Sequence, residues 1–600
     1  MVEAAAVRPA VLLTPNVRIR LLGFAAVALA AFGIGFLLFS VDRARLVVKQ
    51  YGYYSIAFTF ACAIIAWFRV RRPIGDMLVQ VGRGHWWGIG WLVAGCTAVV
   101  ACTTPLGYKV LYDEMVLQST ASDMHIYREV STVVRAYLID GVFAPVDTFV
   151  DKRPMFFPFL VSLVHDVCGY RETNAFWLNL ALYPLILAQL YLLTRRIGGH
   201  IGGVSAVLAL GTLSTLAQSS TGAGMETLNL AMLLLTMHAA LLYLDEPDEV
   251  RLSAMLLAVV LLAQSRYESS LFVLPVALVA LQGWRLGGRI LLPAAAICAP
   301  LLLIPYAVHN TYVSGTPPLW ELRENTSTRF GFNYLAPNLG HAWHYFFDRG
   351  GQSTNSLWLS TAGFLALAAA VYWCWLARRR WRDCPPAVVV LVTFGAAILA
   401  NLGVLMFYYW GQLDDPIVAR LALPLEALMA IAIGYAVDRL ARSVGALPWL
   451  AAAGAVGTYL WSGLVANEQH NRRNTLADEL AWECGVVESL PPGERLIITN
   501  KSSLPYMLRR IPAINFDRAR RRVDALQGQL GGDTFREILV TQDFRPTSAT
   551  GDLRMMREDE LPAWFELEPV AERRFGAHVD RISRLVAIRP HEEDRPAAKR

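Results

Sequence analysis

Tyr112-Asp113-Glu114 and Asp151-Lys152-Arg153-Pro154-Met155-Phe156-Phe157-Pro158-Phe159 mark the two ends of one polar loop. The first stands just beyond the apolar run Trp86–Thr104. The second stands where the chain turns apolar again on its way to the run Ala175–Leu193. Acidic residues at the exit from one run and basic residues at the re-entry put charge at a water–lipid boundary, where it stays hydrated. That reading decides the fold class: an all-α polytopic membrane protein with its polar chemistry at one surface.

The rest of the chain agrees. Of 600 residues 55% are hydrophobic and only 17% charged, with mean hydropathy +0.39, too little charge for the surface of a soluble globule. A net charge of +6 is small at this length and excludes a nucleic-acid binder, which would carry a concentrated basic face. Runs long enough for a bilayer core of roughly 30 Å occur at Leu21–Val41, Tyr51–Phe68, Trp86–Thr104, Ala175–Leu193, Ile201–Gln218 and Leu228–Leu244. Further runs are Ile290–Val308, Leu357–Leu376, Ala387–Tyr408, Ile417–Val437 and Ala446–Leu464. Leu252–Gln264 and Leu271–Leu281 are shorter and meet at the polar junction Ser265-Arg266-Tyr267-Glu268, so about thirteen crossings are expected, with either short run open to a re-entrant reading. The first run lacks a small-residue cleavage site and reads as a retained span. The eight cysteines contain no CxxC and predict neither a disulfide framework nor a zinc site.

Arginines fix the expected orientation. Arg8, Arg18 and Arg20 precede the first run. Arg69, Arg71, Arg72 and Arg83, then Arg195 and Arg196, then Arg285 and Arg289, then Arg378, Arg379, Arg380 and Arg382, then Arg439 and Arg442 recur at alternate loops. The positive-inside rule places all of these in the cytoplasm together with the N-terminus, with Arg43, Arg45 and Lys49 as the exception. The expected organisation is then a cytoplasmic N-terminus (1–20) and a transmembrane domain (21–465) with outer loops 105–153 and 309–356. An extracytoplasmic α/β domain (466–590) and a disordered charged tail (591–600) follow. In that α/β domain Thr475–Leu490 has helical spacing, and Arg495–Thr499, Glu537–Thr541 and Arg584–Ile588 read as strands.

Apolar residues recur with helical spacing from Val116 to Leu138 on a segment too polar to span, which predicts a helix lying along the surface. Asp113 and Glu114 fall at its start, where a carboxylate is favoured by unpaired N–H groups and the helix dipole; capping is therefore one reading of Asp113 and a general base is the other. Asp123, ten residues on, is the rival base. Glu226 opens the run that follows Thr221-Gly222-Ala223-Gly224-Met225, as a helix-start carboxylate or a second acid. Lys152 and Arg153 read as headgroup anchors or as anion-binding cations, and so does Arg420 near the outer end of its span. Arg266 and Glu268 suit a structural contact, and Glu426 lies deeper, with a partner not evident from sequence. His309, His341 and His344 suit surface roles better than metal ligation. Asn325-Thr326-Ser327 and Asn500-Lys501-Ser502 have the form of glycosylation sequons.

The pair Asp113-Glu114 early in a surface helix, together with Asp151-Lys152-Arg153-Pro154 leading back to the membrane, resembles the GT-C superfamily. These are membrane glycosyltransferases dependent on polyprenyl-phosphate sugars, including protein O-mannosyltransferases and bacterial aminoarabinose transferases. The likeness continues through Phe156–Arg196 and fades in the tail. Asp123-Met124-His125-Ile126-Tyr127 is similar to a second acidic pattern of the superfamily, and Arg420 ahead of Leu423-Pro424 to a third element. Arg153 is an insertion relative to the plainer Glu-Lys-Pro form, so the phosphate contact is divided between Lys152 and Arg153. Two spans also precede the one leading into the loop, where the family pattern usually has none.

The resemblance implies a glycosyltransferase that moves a sugar from a polyprenyl-phosphate donor to the hydroxyl of a lipid, glycan or protein acceptor, with inversion, on the outer face of the bacterial inner membrane. Asp113 would be the base, with Asp123 as its rival, and Glu114 and Glu226 would be the further acids of the site. Lys152, Arg153 and Arg420 would hold the donor phosphate, and Asp151 would ligate a divalent cation or orient Lys152. The alternatives are a transporter or lipid flippase, for which the broken region at Ser265–Glu268 is the one supporting feature, and a glycan polymerase or ligase.

Overall fold

The computed structural model describes residues 15–79, 81–139, 142–316, 328–377, 384–491, 493–532, 534–546, 553–554 and 561–589. The sequon at Asn325, the arginines at 378–382 and the tail 591–600 lie outside the described residues.

Apolar periodicity sustained over twenty residues has one solution in lipid, a helix that satisfies its own backbone. Ten such helices are long and apolar enough to cross a membrane among the described residues. Asn174–Gly211 breaks at Gly198-Gly199 into two arms, which correspond to the runs Ala175–Leu193 and Ile201–Gln218. Gly199 takes φ +62° there, a conformation that favours glycine. Glu249–Ala263 and Leu357–Ala377 account for the remaining expected runs. The chain is a multi-pass membrane protein.

The bundle is layered. Glu226–Asp245 and Pro416–Ala441 are almost wholly buried, whereas Pro15–Leu37 and Gly84–Thr103 present most of their apolar surface outward, including Leu22, Trp87 and Trp91. At the centre Asn174–Gly211 crosses Leu423–Ala441 with backbone nearly touching backbone. A Cβ built on Gly202 would lie 2.6 Å from Gly434 O, so only glycine fits. Small residues that let helices approach this closely are the usual means of packing spans.

The outer loop departs from expectation. The site helix Leu111–Ile126 ends at Tyr127, Arg128 turns the chain with φ +57°, and an antiparallel hairpin follows: β1 (Thr132–Ile139) with β2 (Val142–Phe149). The predicted single helix over Val116–Leu138 is therefore half helix and half strand. Val130, Val134 and Leu138 are four apart, a spacing that an alternating strand satisfies as well as a helix does, and the β-branched Thr132-Val133-Val134 suits the strand. Nor does the helix lie on the surface: Leu111, Met115, Leu117, Ala121 and Met124 are buried. Lys49 pairs with Glu129 at 3.2 Å and donates to Thr148 at 3.1 Å, so this exception to the arginine pattern braces the outer loop.

After the last span, helix Thr475–Ser489 leads into a sheet of order β4-β3-β5-β8-β7, with β6 beside β5. The strands are β3 (Arg495–Thr499), β4 (Ala513–Asn515), β5 (Glu537–Pro546), β6 (Leu553–Arg554), β7 (Phe565–Phe575) and β8 (His578–Ile588). β3 is buried throughout and lies parallel to both neighbours, as a strand covered on both faces should. Successive residues point to opposite faces. Leu496 and Ile498 pack with Phe516 and Leu526, while Ile497 packs with Cys484, Tyr506 and, from the outer-loop hairpin, Val133 and Ala136. Leu480, Leu504 and Leu508 form a further core with Leu111 and Met115 of the site helix. The sheet and the outer loop thus share a hydrophobic core.

Candidate active site

Four segments distant in sequence meet where the site helix begins. Arg153, at the end of the outer loop, donates to Asp113 Oδ1, and Arg420, in the first turns of Pro416–Ala441, donates to Asp113 Oδ2. Arg420 Nη1 also lies 3.1 Å from Glu226 Oε1. Glu226 in turn receives Arg266, whose Nη2 is 2.8 Å from Glu268. At the other end Arg153 Nη1 is 2.7 Å from Asp151. The result is an unbroken alternation, Asp151–Arg153–Asp113–Arg420–Glu226–Arg266–Glu268. Such an array is stable only because each buried charge faces an opposite one.

Burial alone would raise the Asp113 carboxyl, but the Arg153 and Arg420 guanidiniums outweigh it and hold the group well below the usual carboxylate range. Asp113 is therefore anionic. The capping role considered for it belongs to Glu114, whose buried carboxylate accepts N–H groups from Lys109 (2.6 Å), Val110 (3.0 Å) and Ala223 (2.9 Å). Glu114 ties the site helix to the turn before Glu226. Burial raises it to about 7, with those three N–H groups opposing. Lys152 flanks the array and is partly buried, which lowers its ammonium, and the neighbouring Arg153 lowers it further.

Asp123 is not brought to this array. It sits at the far end of the site helix, buried, accepting Ser131 Oγ at 2.6 Å, and burial raises it to about 7 against that hydrogen bond. Asp151 is a poor candidate metal ligand. Its carboxylate is taken by the Arg153 side chain and by the Arg153 N–H at 2.9 Å, and its carbonyl accepts His309 Nε2 at 2.6 Å. The other carboxylates of the array also face guanidiniums, and among the described residues no three ligating side chains converge. This donor set does not fit a divalent cation, since guanidinium already fills the cationic positions. His341 meets Asp414 at 2.8 Å, and Glu426, whose partner is not evident from sequence, receives Tyr345 OH at 2.7 Å.

Beside the array lies a cavity of about 400 Å³. Glu226, Arg266, Glu268, Arg329 and Arg420 line its polar end, and Ile398, Leu402 and Leu405, from the span Pro386–Met406, line its apolar side. Sequence reasoning treated Arg266 and Glu268 as an isolated contact and did not single out Arg329. The costly placement of Arg266 between two apolar runs was the available signal.

Three comparisons bear on this geometry. Residues 152–309 match the family model described as dolichyl-phosphate-mannose-protein mannosyltransferase. No curated protein matches. The structure is similar to that of ArnT from Cupriavidus metallidurans bound to undecaprenyl phosphate, with TM-score 0.52 and 15% identity over 84% of this chain and 100% of that one. The apo form of the same protein gives TM-score 0.51 and 15% identity, over 84% of this chain and 99% of that one. An archaeal oligosaccharyltransferase from Archaeoglobus fulgidus aligns with TM-score 0.43 and 10% identity over 77% of this chain and 72% of that one. The fold is similar to that of ArnT.

Proposed function

We propose that the chain is a glycosyltransferase that moves one sugar from a polyprenyl-phosphate carrier to an acceptor hydroxyl at the outer face of the cytoplasmic membrane, inverting the anomeric carbon. The observation that carries this reading is Asp113 held between Arg153 and Arg420, with Arg420 itself lining a cavity that Arg266, Arg329 and the apolar Ile398, Leu402 and Leu405 also line. An isoprenoid phosphate has the same polarity: its head suits Arg420, Arg266 and Arg329, and its tail suits Ile398 through Leu405. The carrier seen with ArnT, undecaprenyl phosphate, belongs to this chemical class.

A carboxylate held so acidic is a weak base, because proton transfer is most effective when the base has a pKa near the working pH. A donor phosphate corrects this. Its oxygens compete with Asp113 for Arg153 and Arg420, and as those guanidiniums turn to the phosphate the Asp113 carboxylate becomes more basic. The acceptor hydroxyl then gives its proton to Asp113 as its oxygen bonds to the anomeric carbon. The bond from that carbon to the phosphate oxygen breaks, and polyprenyl phosphate leaves with the electron pair, stabilised by the arginines. Glu226 keeps Arg420 and Arg266 oriented throughout.

The arginine pattern supports this sidedness. Arg195, Arg196, Arg251 and Asp76 line one cavity at the end assigned to the cytoplasm, while the array belongs to the end carrying the outer loop and the sheet. The charges of the broken region at Arg266–Glu268 are all engaged in the array, so nothing there favours the transporter reading. The direct test is transfer from a radiolabelled polyprenyl-phosphate sugar by membranes carrying Asp113→Asn. Loss of transfer with donor binding retained supports the proposal, and transfer at the wild-type rate refutes it.

A further inference from the structure

The cavity beside the array is lined by two side-chain amides that the array does not use, Asn229 and Asn401. Asn229 stands three residues after Glu226 on Glu226–Asp245, hence on the same face of that helix and one turn farther along it. It is buried, and its Oδ1 accepts Ser265 Oγ at 2.7 Å and Ser269 Oγ at 2.6 Å. Those serines flank Arg266 and Glu268, so the junction that ends the array also fixes this amide. Its Nδ2 has no partner among the described residues. Asn401 is the only amide in the span Pro386–Met406, and its neighbours Ile398 and Leu402 line the same cavity. The other polar side chain of that span, Thr393, turns back to Val389 O at 2.9 Å. Asn401 makes no hydrogen bond among the described residues. An unsatisfied amide in a membrane span is costly, and polar groups kept there mark substrate paths.

The charges of the cavity, by contrast, are committed. Glu226 faces Arg266 and Arg420, and Glu268 accepts Arg266 Nε at 3.1 Å and Nη2 at 2.8 Å. Arg266, Arg329 and Arg420 oppose these two carboxylates, which leaves one formal positive charge for the donor phosphate. An ammonium on the sugar would find no carboxylate of its own, and a sugar carboxylate would compete with the phosphate. A sugar hydroxyl donates and accepts, as an amide does, so the two asparagines match an uncharged ring.

We infer that Asn229 and Asn401 bind hydroxyls of the transferred sugar and so select a neutral sugar over one that bears an amine. The inference rests on the transferase reading and names the sugar class of that site. Ser265 and Ser269 hold Asn229 ready for this role, and Asn401 gains in the complex the partner it lacks in the free protein.

The test is equilibrium binding to the purified full-length protein in phosphatidylcholine nanodiscs. The probes are undecaprenyl phosphate and the same carrier esterified with glucose or with glucosamine. Wild type should bind the glucosyl carrier at least about tenfold more tightly than the glucosaminyl one, because an ammonium without a counter-ion loses its hydration there. Asn401→Leu and Asn229→Ala should each weaken the glucosyl carrier about three- to tenfold, the effect of one neutral hydrogen bond, and leave undecaprenyl phosphate unchanged. Asn401→Asp should move the preference toward the glucosaminyl carrier. Asn401→Leu breaks no hydrogen bond among the described residues, so it serves where Asn229→Ala loses its fold, which thermal unfolding detects. Glucosaminyl carrier bound as tightly as glucosyl carrier by wild type, or glucosyl carrier bound by folded Asn401→Leu as tightly as by wild type, overturns the inference and leaves the donor reading standing. Failure of undecaprenyl phosphate itself to bind refutes that reading, and the inference with it.

Discussion

Asp113 is set apart from the other acids of the outer loop by what holds it. Two guanidiniums keep it ionised, three backbone N–H groups occupy Glu114, and a single hydroxyl serves Asp123. Removing one guanidinium should therefore change the base in a defined direction. In Arg420→Gln the Asp113 carboxyl loses a cation and its pKa rises toward the ordinary range. The rate kcat/KM needs this group deprotonated, so its acid limb should move to higher pH, while the KM for donor increases. An acid limb that stays in place contradicts the assignment of Asp113 as base. The position of Asp113, Arg153 and Arg420 was legible in the sequence because each sits beside an apolar run, where charge is conspicuous. The division of labour between Asp113 and Glu114 was not, since it depends on Ala223, more than a hundred residues away.

Among the elements, the site helix carries a buried acid whose titration can be read in stability. Asp123 is raised to about 7 by burial, above its unfolded value, so the folded state holds the proton more tightly. Stability from this group is complete below the unfolded pKa and declines as pH rises to about 7. Asp123→Asn should remove that decline. In thermal unfolding the variant should gain on wild type between pH 5 and pH 8 and remain active. A variant whose difference from wild type does not vary with pH would contradict this account. The crossing of Asn174–Gly211 with Leu423–Ala441 makes a second prediction. Gly434→Ala puts a methyl against the Gly202 backbone and should lower the unfolding temperature, because two main chains cannot move aside as a flexible side chain could. An unchanged temperature would mean that the helices can separate freely. The helices themselves were readable from apolar periodicity. The hairpin was not, because Val130, Val134 and Leu138 fit both periods and only the fold decides between them.

At the scale of the whole molecule, the sheet and the membrane bundle behave as one structure around the outer loop. Lys501 lies within 3.1 Å of Glu479, Glu483 and Asp580, all buried. It joins helix Thr475–Ser489 to β8 on the sheet face that packs against the hairpin. Lys501→Met leaves three carboxylates without their cation. It should cost about 3–5 kcal/mol, the typical penalty for breaking a buried ion pair, and should expose the outer loop to protease. Protection equal to wild type would show that the sheet is not needed to hold the loop. The strands β3, β5 and β8 were visible as short β-branched runs, but their docking was not, since sheet packing against a distant hairpin leaves no local periodicity. The central claim is that Asp113 takes the acceptor proton at an arginine-lined lipid-phosphate site. It is tested most directly by parallel donor-binding and transfer assays on wild type, Asp113→Asn and Asp123→Asn with a radiolabelled polyprenyl-phosphate sugar. The account predicts that Asp113→Asn binds donor but transfers roughly 10²–10⁴-fold more slowly, with Asp123→Asn close to wild type. Full activity in Asp113→Asn, or inactivation by Asp123→Asn alone, would contradict it.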